Sequence, residues 1–479
     1  MIEQLRAEIE ALRARTRPLE PDADQRRAFG ERALDHALAY WDQVETAPSN
    51  RNWSEVFSQR LDPEFAEQGR EAADVLEYAA ACIEAPGFAA TSPRFMAYIP
   101  GGAVPYSAFG DLIAAASNKY SGFASASPGA VRIENACIAW IASVIGFPYD
   151  AAGTLTSGGS IANLTGVVTA REARDPDGGG AIYVTRFAHY CVDKALHIAG
   201  RGRSPKRVIP TDADHRMSVE ALEQALEEDR RNGIRPWLVI ASAGTVDTGA
   251  IDPLPEIAEL CRRYGAWLHV DGAYGGLFAL CDEGKALLAG IEQADSVALD
   301  PHKTLFLPYG TGAVVVRDGR LLQEAFSASG EYIQPLGESE VGPSPNDLSP
   351  ELTRHFRALR LWLPLQIAGI AAFRAAQLEK LALARYFHSR LSEIDGFDAG
   401  PEPQLSVVAF RYLPKSGDVD EFNERLMQHI QQEGRVMMSG TRIDGTYRLR
   451  CAILCFRTHL EHVDEAVDAV VRGVKALGG

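Results

Sequence analysis

ALDPHKTLFLPYGTG, residues 298–312, sets a histidine and a lysine side by side directly after an apolar run. SVAL (296–299) reads as a short buried strand, and Pro301 ends it. Lys303 therefore falls on the loop leaving a sheet edge, with no acid following it closely. Burying an ammonium is expensive, so a lysine carried to such an edge asks for a chemical reason. A desolvated lysine there is expected to have a lowered pKa and to be nucleophilic toward carbonyls. Lys119 and Lys194 are the rival lysines, and both lie in patterns that read as helix surface.

Working outward, further apolar runs occur at AIYVT (181–185), RVIP (207–210), WLVIAS (237–242), AWLHV (266–270) and GAVVV (312–316). Amphipathic stretches of helix length separate most of them, such as SVEALEQALEEDRR and LPEIAELCRRYG. Strand–helix alternation over this distance implies a mostly parallel sheet with helices on both faces. SPGAVRIENACIAWIASVIG (127–146) reads as a helix with Ser127 as its cap, Pro128 in its first turn and Gly146 at its end. Helices are expected over 2–16, about 23–45, 63–84 and 351–393. The domain reading is an N-terminal helical segment (1–90), a large α/β domain (91–375) and a small C-terminal α+β domain (376–479).

The chain has 479 residues, of which 46% are hydrophobic and 23% charged, ordinary for a globular protein with ample core. A net charge of −16 and a pI near 5.2 set a nucleic-acid partner aside, since such binders present a basic field. The seven scattered cysteines show no CxxC pairing, which argues for a reducing compartment and against a zinc site. LRCAILCF reads as a strand that places Cys451 and Cys455 on one face as buried thiols. The N-terminus lacks a signal-peptide core, and the longest apolar stretch, LRLWLPLQIAGIAAF, is interrupted by Arg360, Pro364 and Gln366. A cytoplasmic protein without a membrane partner is expected.

Ligands of open α/β sheets sit beyond the carboxyl ends of the strands, and three features fall there. GTLTSGGSIAN turns through glycine into a helix, so Gly159 and Ser160 make an anion cradle from backbone N–H groups and a hydroxyl. Asp271 ends the strand of AWLHVDGAYGG as a carboxylate in need of a cationic partner. Lys303 is the third. A phosphate cradle, a buried acid and an active lysine are the parts that a pyridoxal phosphate enzyme requires: lysine for the Schiff base, acid for the pyridinium nitrogen.

In the order TSGGSIAN, AHYCVDKA, HVDGAYGG and PHK, the chain resembles the group II pyridoxal-phosphate-dependent amino acid decarboxylases, whose members act on aromatic amino acids, glutamate or 2,4-diaminobutyrate. The likeness runs from about SPRFMAYIPGG to LRCAILCFRT. It implies a fold type I enzyme, a homodimer with its site at the subunit interface, and a role for each matched residue. Lys303 resembles the Schiff-base lysine, Asp271 the pyridinium partner, and His189 the histidine stacked on the cofactor ring. Gly159 and Ser160 match the phosphate cradle, Thr245 a cofactor-contacting threonine, and Asp300 and His302 the neighbours of the phosphate. Tyr332, in ASGEYIQPL, falls at the mobile-loop tyrosine that protonates the α-carbon, where aldehyde-forming relatives carry phenylalanine.

Two departures bear on the substrate. Asp300 and Thr304 stand where animal aromatic decarboxylases have Asn and Trp, and Gly101 stands at a substrate-contacting threonine. The reaction implied is α-decarboxylation of an L-amino acid, aromatic by preference, to the amine and CO2. A glutamate or diaminobutyrate decarboxylase and an oxidative aldehyde synthase are the alternatives within the class. Outside it, a binding protein with a degenerate site conflicts with the intact Lys303, Asp271 and His189. A metal hydrolase using His189, His269, His302 and Asp271 lacks short ligand spacing such as HExxH, and no metal is expected.

Overall fold

The computed structural model describes residues 1–51, 65, 67–84, 87–327 and 341–479. They form two compact units, Met1–Ala89 and Ala90–Gly479. In the first, the helices Ile2–Thr16 and Ala23–Gln43 contain no buried residue. The second of them starts at a reciprocal cap: Gln25 N–H donates to Asp22 Oδ1 at 2.9 Å, and Asp22 N–H to Gln25 Oε1 at 3.0 Å. The helix expected over 63–84 is shorter, because residues 67–71 are not helical. It begins at Ala72 as α-helix to Tyr78 and continues as a π-turn over Ala79–Glu84.

The second unit is built on a seven-stranded sheet: β1 (Ala152–Thr156), β2 (Ala181–Thr185), β3 (Lys206–Ile209), β4 (Pro236–Ser242), β5 (Trp267–Gly272), β6 (Ser296–Leu299) and β7 (Gly312–Val316). The spatial order is β1-β7-β6-β5-β4-β2-β3. All pairs are parallel except those of β7, which runs antiparallel to both β1 and β6. The expected mostly parallel α/β sheet is thus present, with one reversed strand. β1 was not anticipated, since its glycine and threonines disguise a short strand inside the cradle stretch.

Every residue of β4 is buried. Its Leu238 and Ile240 join one core and its Val239 and Ala241 another, so both faces of the sheet are covered. That is why the parallel strands read as unbroken apolar runs. The helix Pro128–Val144 has Ser127 at its N-cap position, but the hydroxyl makes no capping bond there. The stretch 351–393 is not one helix. It forms Ala358–Ala368 and Ile370–Ser392, bent by 93° at Gly369, whose φ of +76° suits only glycine well. No single helix among the described residues is long and apolar enough to cross a membrane. The bent pair buries Leu361, Leu365, Phe373 and Leu381 in the core. The boundary expected at 375/376 falls inside its second helix.

A four-stranded antiparallel sheet closes the C-terminal part: β8 (Phe397–Asp398), β9 (Val407–Tyr412), β10 (Ser439–Ile443) and β11 (Thr446–Ala452), in the order β8-β9-β11-β10. It has its own apolar core with the helices Val419–Glu433 and Leu460–Ala476. Cys451 lies on β11, whereas Cys455 lies beyond its end. Both thiols are buried and free. The face-sharing expected of the two cysteines fails because the strand stops at Ala452.

Glu465 ties the helix Leu460–Ala476 to the start of the second unit. Arg94 donates to it from Nε at 2.6 Å and Nη2 at 3.0 Å, and Arg435 adds a third bond at 3.0 Å. The hydrogen bonds from Arg94 pull the Glu465 carboxyl from 4.5 down to about 2. Because the folded pKa is depressed, this stabilisation is present above pH 4.5 and is lost as pH falls from 4.5 through 2. Glu465→Gln is expected to cost about 1–2 kcal/mol at pH 7, between the values for exposed and buried pairs. Denaturant melts of both proteins should show that deficit shrinking over pH 4.5 to 2; a constant deficit would show that the ionised pair is not its source.

Candidate active site

The carboxyl ends of β4, β5 and β6 lie level. Ser242 pairs in register with Asp271, and Asp271 with Ala298, two residues before Asp300. Beyond these ends lies a cavity of about 260 Å³, near the lower end of small-molecule sites, roughly 300 Å³. Eight of the nine residues singled out from sequence line it: Gly159, Ser160, His189, Thr245, Asp271, Asp300, His302 and Lys303. Tyr332, the ninth, lies outside the described residues.

The opening lysine answers its own question in part. Lys303 sits in a one-turn helix, Pro301–Thr304, and its Nζ donates to Asp300 Oδ2 at 2.9 Å. The expected lowering of its pKa is overturned. Burial is the largest single influence and lowers it, but the charge and hydrogen bond of Asp300, with the charge of Asp271, together outweigh burial and raise it. Lys119 and Lys194 are both exposed. Lys119 lies two residues past the helix Pro105–Ser117 rather than on it. Lys303 itself is half-buried, and the lysine buried outright is Lys380, which donates to Glu379 at 2.9 Å and to the Thr458 carbonyl and does not line the cavity.

His189 precedes the helix Cys191–Ile198, and the Cys191 N–H donates to its Nδ1 at 3.3 Å. The ring proton is thereby left to Nε2. Burial lowers the pKa of His189 despite the nearby charge of Asp271, so the ring is neutral at pH 7. His302 is likewise lowered by burial, and its Nδ1–H donates to the Thr311 carbonyl at 2.8 Å. Thr245 Oγ1 is bonded to Thr248 Oγ1 at 2.7 Å. The Asp271 carboxylate accepts from the Ala273 N–H at 3.1 Å, leaving its other oxygen for the cavity.

Two glycines let the backbone close on this cavity. A Cβ on Gly101 would stand 2.2 Å from the His302 carbonyl oxygen and 2.8 Å from that of Lys303. A Cβ on Gly159 would stand 2.8 Å from Asp300 Oδ2. Thr304 turns from the cavity, and its hydroxyl donates to the Tyr274 carbonyl. Ser157, Phe187, Cys191, Ser242, Val246 and Tyr274 also line the cavity and were not singled out from sequence. Most of them lie within a few positions of a strand's carboxyl end, a signal that would have found them. His269 is not at the site. It is buried between Ser296 Oγ at 2.7 Å and Asn163 Oδ1 at 2.9 Å, and burial lowers its pKa to about 4. No group of three His, Cys, Asp or Glu residues suited to a metal occurs among the described residues.

Comparison with known proteins agrees with this geometry. A family model described as the pyridoxal-dependent decarboxylase conserved domain matches residues 55–413. An aromatic-L-amino-acid decarboxylase of Bacillus atrophaeus is 33% identical over 96% of each chain. A phenylacetaldehyde synthase of Petunia hybrida is 28% identical over 94% of each. The crystal structure of Oryza sativa TDC with pyridoxal phosphate and tryptamine superposes with a TM-score of 0.89 at 26% identity, covering 96% of this chain and 99% of that one. The chain belongs to the pyridoxal-dependent decarboxylase family. It is a fold type I, pyridoxal-phosphate-dependent amino acid decarboxylase.

The cavity fits that cofactor. Gly159 and Ser160 open the helix Gly159–Arg174 at the cavity, and helix N-termini attract phosphate. An acid, Asp271, and an amine, Lys303, line the same cavity and would serve the ring nitrogen and the aldehyde. Gly101→Ala should therefore damage the site from outside it, because the atoms it strikes are backbone and cannot swing aside. A loss of roughly 1–3 kcal/mol in stability, the usual range for overpacking, is expected together with weakened cofactor retention. Thermal melts and the absorbance of bound cofactor after gel filtration check both; an unchanged variant would mean that the loop relaxes freely.

Proposed function

We propose that this enzyme removes the α-carboxylate of an aromatic L-amino acid, yielding the amine and CO2. One observation carries the reading: Lys303 and Asp271 line a single cavity with the cradle of Gly159 and Ser160. The names of the relatives support the aromatic side chain, as does Phe187 on the cavity wall.

Bound pyridoxal phosphate supplies an electron-withdrawing ring that takes up the electrons of the broken bond. Lys303 holds the cofactor through its ε-nitrogen and yields it to the substrate amine. Asp271 keeps a proton on the ring nitrogen, an electrostatic role strengthened by burial. His189, neutral and with its proton on Nε2, offers a flat face and an N–H toward the reacting groups. Gly159, Ser160 and the helix N-terminus hold the phosphate, with Thr245 and His302 beside the cofactor. Tyr332 returns a proton to the α-carbon. Borohydride treatment of the holoenzyme should place the pyridoxyl label on Lys303, and L-tryptophan, L-tyrosine or L-phenylalanine should release amine. A label on Lys380, or no amine from any aromatic substrate, would overturn the assignment.

We also infer a cytoplasmic homodimer. Seven free thiols suit a reducing compartment. Helices of 15 and 21 residues that bury nothing leave Ile2, Leu5, Ile9 and Leu12 exposed, an apolar surface suited to a second subunit.

The likeness to an aldehyde synthase favours a second reading, which Tyr332 decides. A phenol donates a proton where a phenyl ring cannot. The wild type should release amine with little oxygen uptake, whereas Tyr332→Phe should consume oxygen and form aldehyde from the same substrate. An oxygen electrode with a product assay distinguishes them; aldehyde from the wild type, or unchanged amine from the variant, removes Tyr332 as the donor.

A further inference from the structure

Asp300 occupies the N-cap position of the helix Pro301–Thr304, where an aspartate ordinarily accepts backbone N–H bonds. Here it makes no capping bond. Its side chain is 3% exposed and turned to Lys303, with Oδ2 2.9 Å from Nζ. Its other oxygen, Oδ1, is buried and has no hydrogen-bond partner among the described residues. The nearest imidazole nitrogen, His302 Nδ1, is 3.6 Å away and spends its proton on the Thr311 carbonyl. The same carboxylate lies against Gly159, at the cradle itself. A fixed negative charge at that place would repel a phosphate dianion, so its presence needs another purpose.

Resting on the assignment of Lys303 as the cofactor's anchor, we propose that Asp300 is a positioning residue for that lysine, not a ligand of the phosphate. It docks the ε-amine as an ammonium whenever the amine is not bonded to the cofactor. Each turnover releases Lys303 when the substrate amine takes its place. The freed amine takes up the proton that the incoming substrate ammonium gives up, so an N–H bond breaks on the substrate and one forms at Nζ as the ion pair with Asp300 is made. While so docked, Lys303 has no lone pair with which to reclaim the cofactor from the substrate. Recapture requires the reverse: the ammonium passes that proton to the departing product amine, and the C–N bond from Nζ to the cofactor's aldehyde carbon forms as the product's bond to that carbon breaks.

The groups facing Lys303 come from three elements. Asp300, His302 and Tyr309 belong to its own loop, Asp271 stands at the end of β5, and His189 and Cys191 precede and open the next helix. Among the described residues, Asp300 is the one that forms a hydrogen bond to Nζ. Removing its charge takes away the two largest influences that raise the lysine and leaves burial opposed by Asp271 and Cys191.

The test uses cofactor-free full-length protein, with capture of pyridoxal phosphate and of phosphate-free pyridoxal followed by absorbance from pH 6 to 11. In the wild type, capture should rise with pH as the ammonium is deprotonated. Asp300→Asn, which keeps the side chain's shape, should move the midpoint to lower pH by about one unit or more for both aldehydes, in line with loss of a close opposite charge. Asp300→Ala should give the same displacement, so that a folding fault in one variant does not decide the outcome. An unmoved midpoint overturns the proposal. So does a change confined to pyridoxal phosphate, which would place Asp300 at the phosphate. Failure of the wild type to capture either aldehyde on Lys303 would instead refute the lysine assignment on which the proposal rests.

Discussion

A charge taken largely out of water is tolerable only when an opposite charge accompanies it, and the contact between half-buried Lys303 and buried Asp300 meets that condition at the edge of the sheet. Desolvation of an unpaired charge in this position would cost several kcal/mol and would drive the lysine toward its neutral form. With the pair intact, the lysine is charged, held in one direction and set in a cavity that Asp271 also lines. The rest of the cavity is arranged around that fixed ammonium. Neutral His189 and neutral His302 add no second cation beside it, because burial has already lowered both.

Holding the pair in place takes backbone packing more than side-chain packing. Gly101 brings one loop against the carbonyl oxygens of His302 and Lys303, at a distance no other residue allows. Thr304 binds the Tyr274 carbonyl, and the Tyr274 hydroxyl meets Ser406 Oγ at 2.8 Å, beside the start of β9. Gln377, from the helix Ile370–Ser392, donates to the carbonyls of Leu277 and Thr304 at 3.0 and 3.1 Å. The lysine turn is therefore fastened from the large sheet, from the bent helix and from the C-terminal sheet. Gly101 and Thr304, which differ from the pattern of the animal enzymes, do structural work here. Neither is positioned as a substrate contact by anything it touches.

β7 carries a comparable constraint for the sheet. It runs against both of its neighbours, so the chain returns from the lysine turn by a short connection in place of a crossover helix. That return lets Thr311 meet the His302 imidazole and brings β1, with the cradle that follows it, next to the lysine.

What the sequence alone determined was local. Runs of β-branched and aliphatic residues located β6 and β7 at their observed bounds and β2 likewise, because a strand buried on both faces must be apolar throughout. Glycine, acid and lysine at strand ends marked Gly159, Ser160, Asp271 and Lys303, since the carboxyl edge of such a sheet is where ligands gather, and the family resemblance added His189, Thr245, Asp300 and His302. The tertiary structure decided whatever depends on distances between remote segments. The direction of the Lys303 shift turned on a competition between burial and two carboxylates, and no spacing in the chain reveals which prevails. β1 is a strand because β7 pairs with it, not because its own residues demand it. The helical stretch expected over 351–393 starts only at Ala358 and turns at Gly369, whose positive φ favours glycine, while proline at 364 stays within a helix. Local preference is a property of neighbours in sequence; charge, register and close approach belong to neighbours in space.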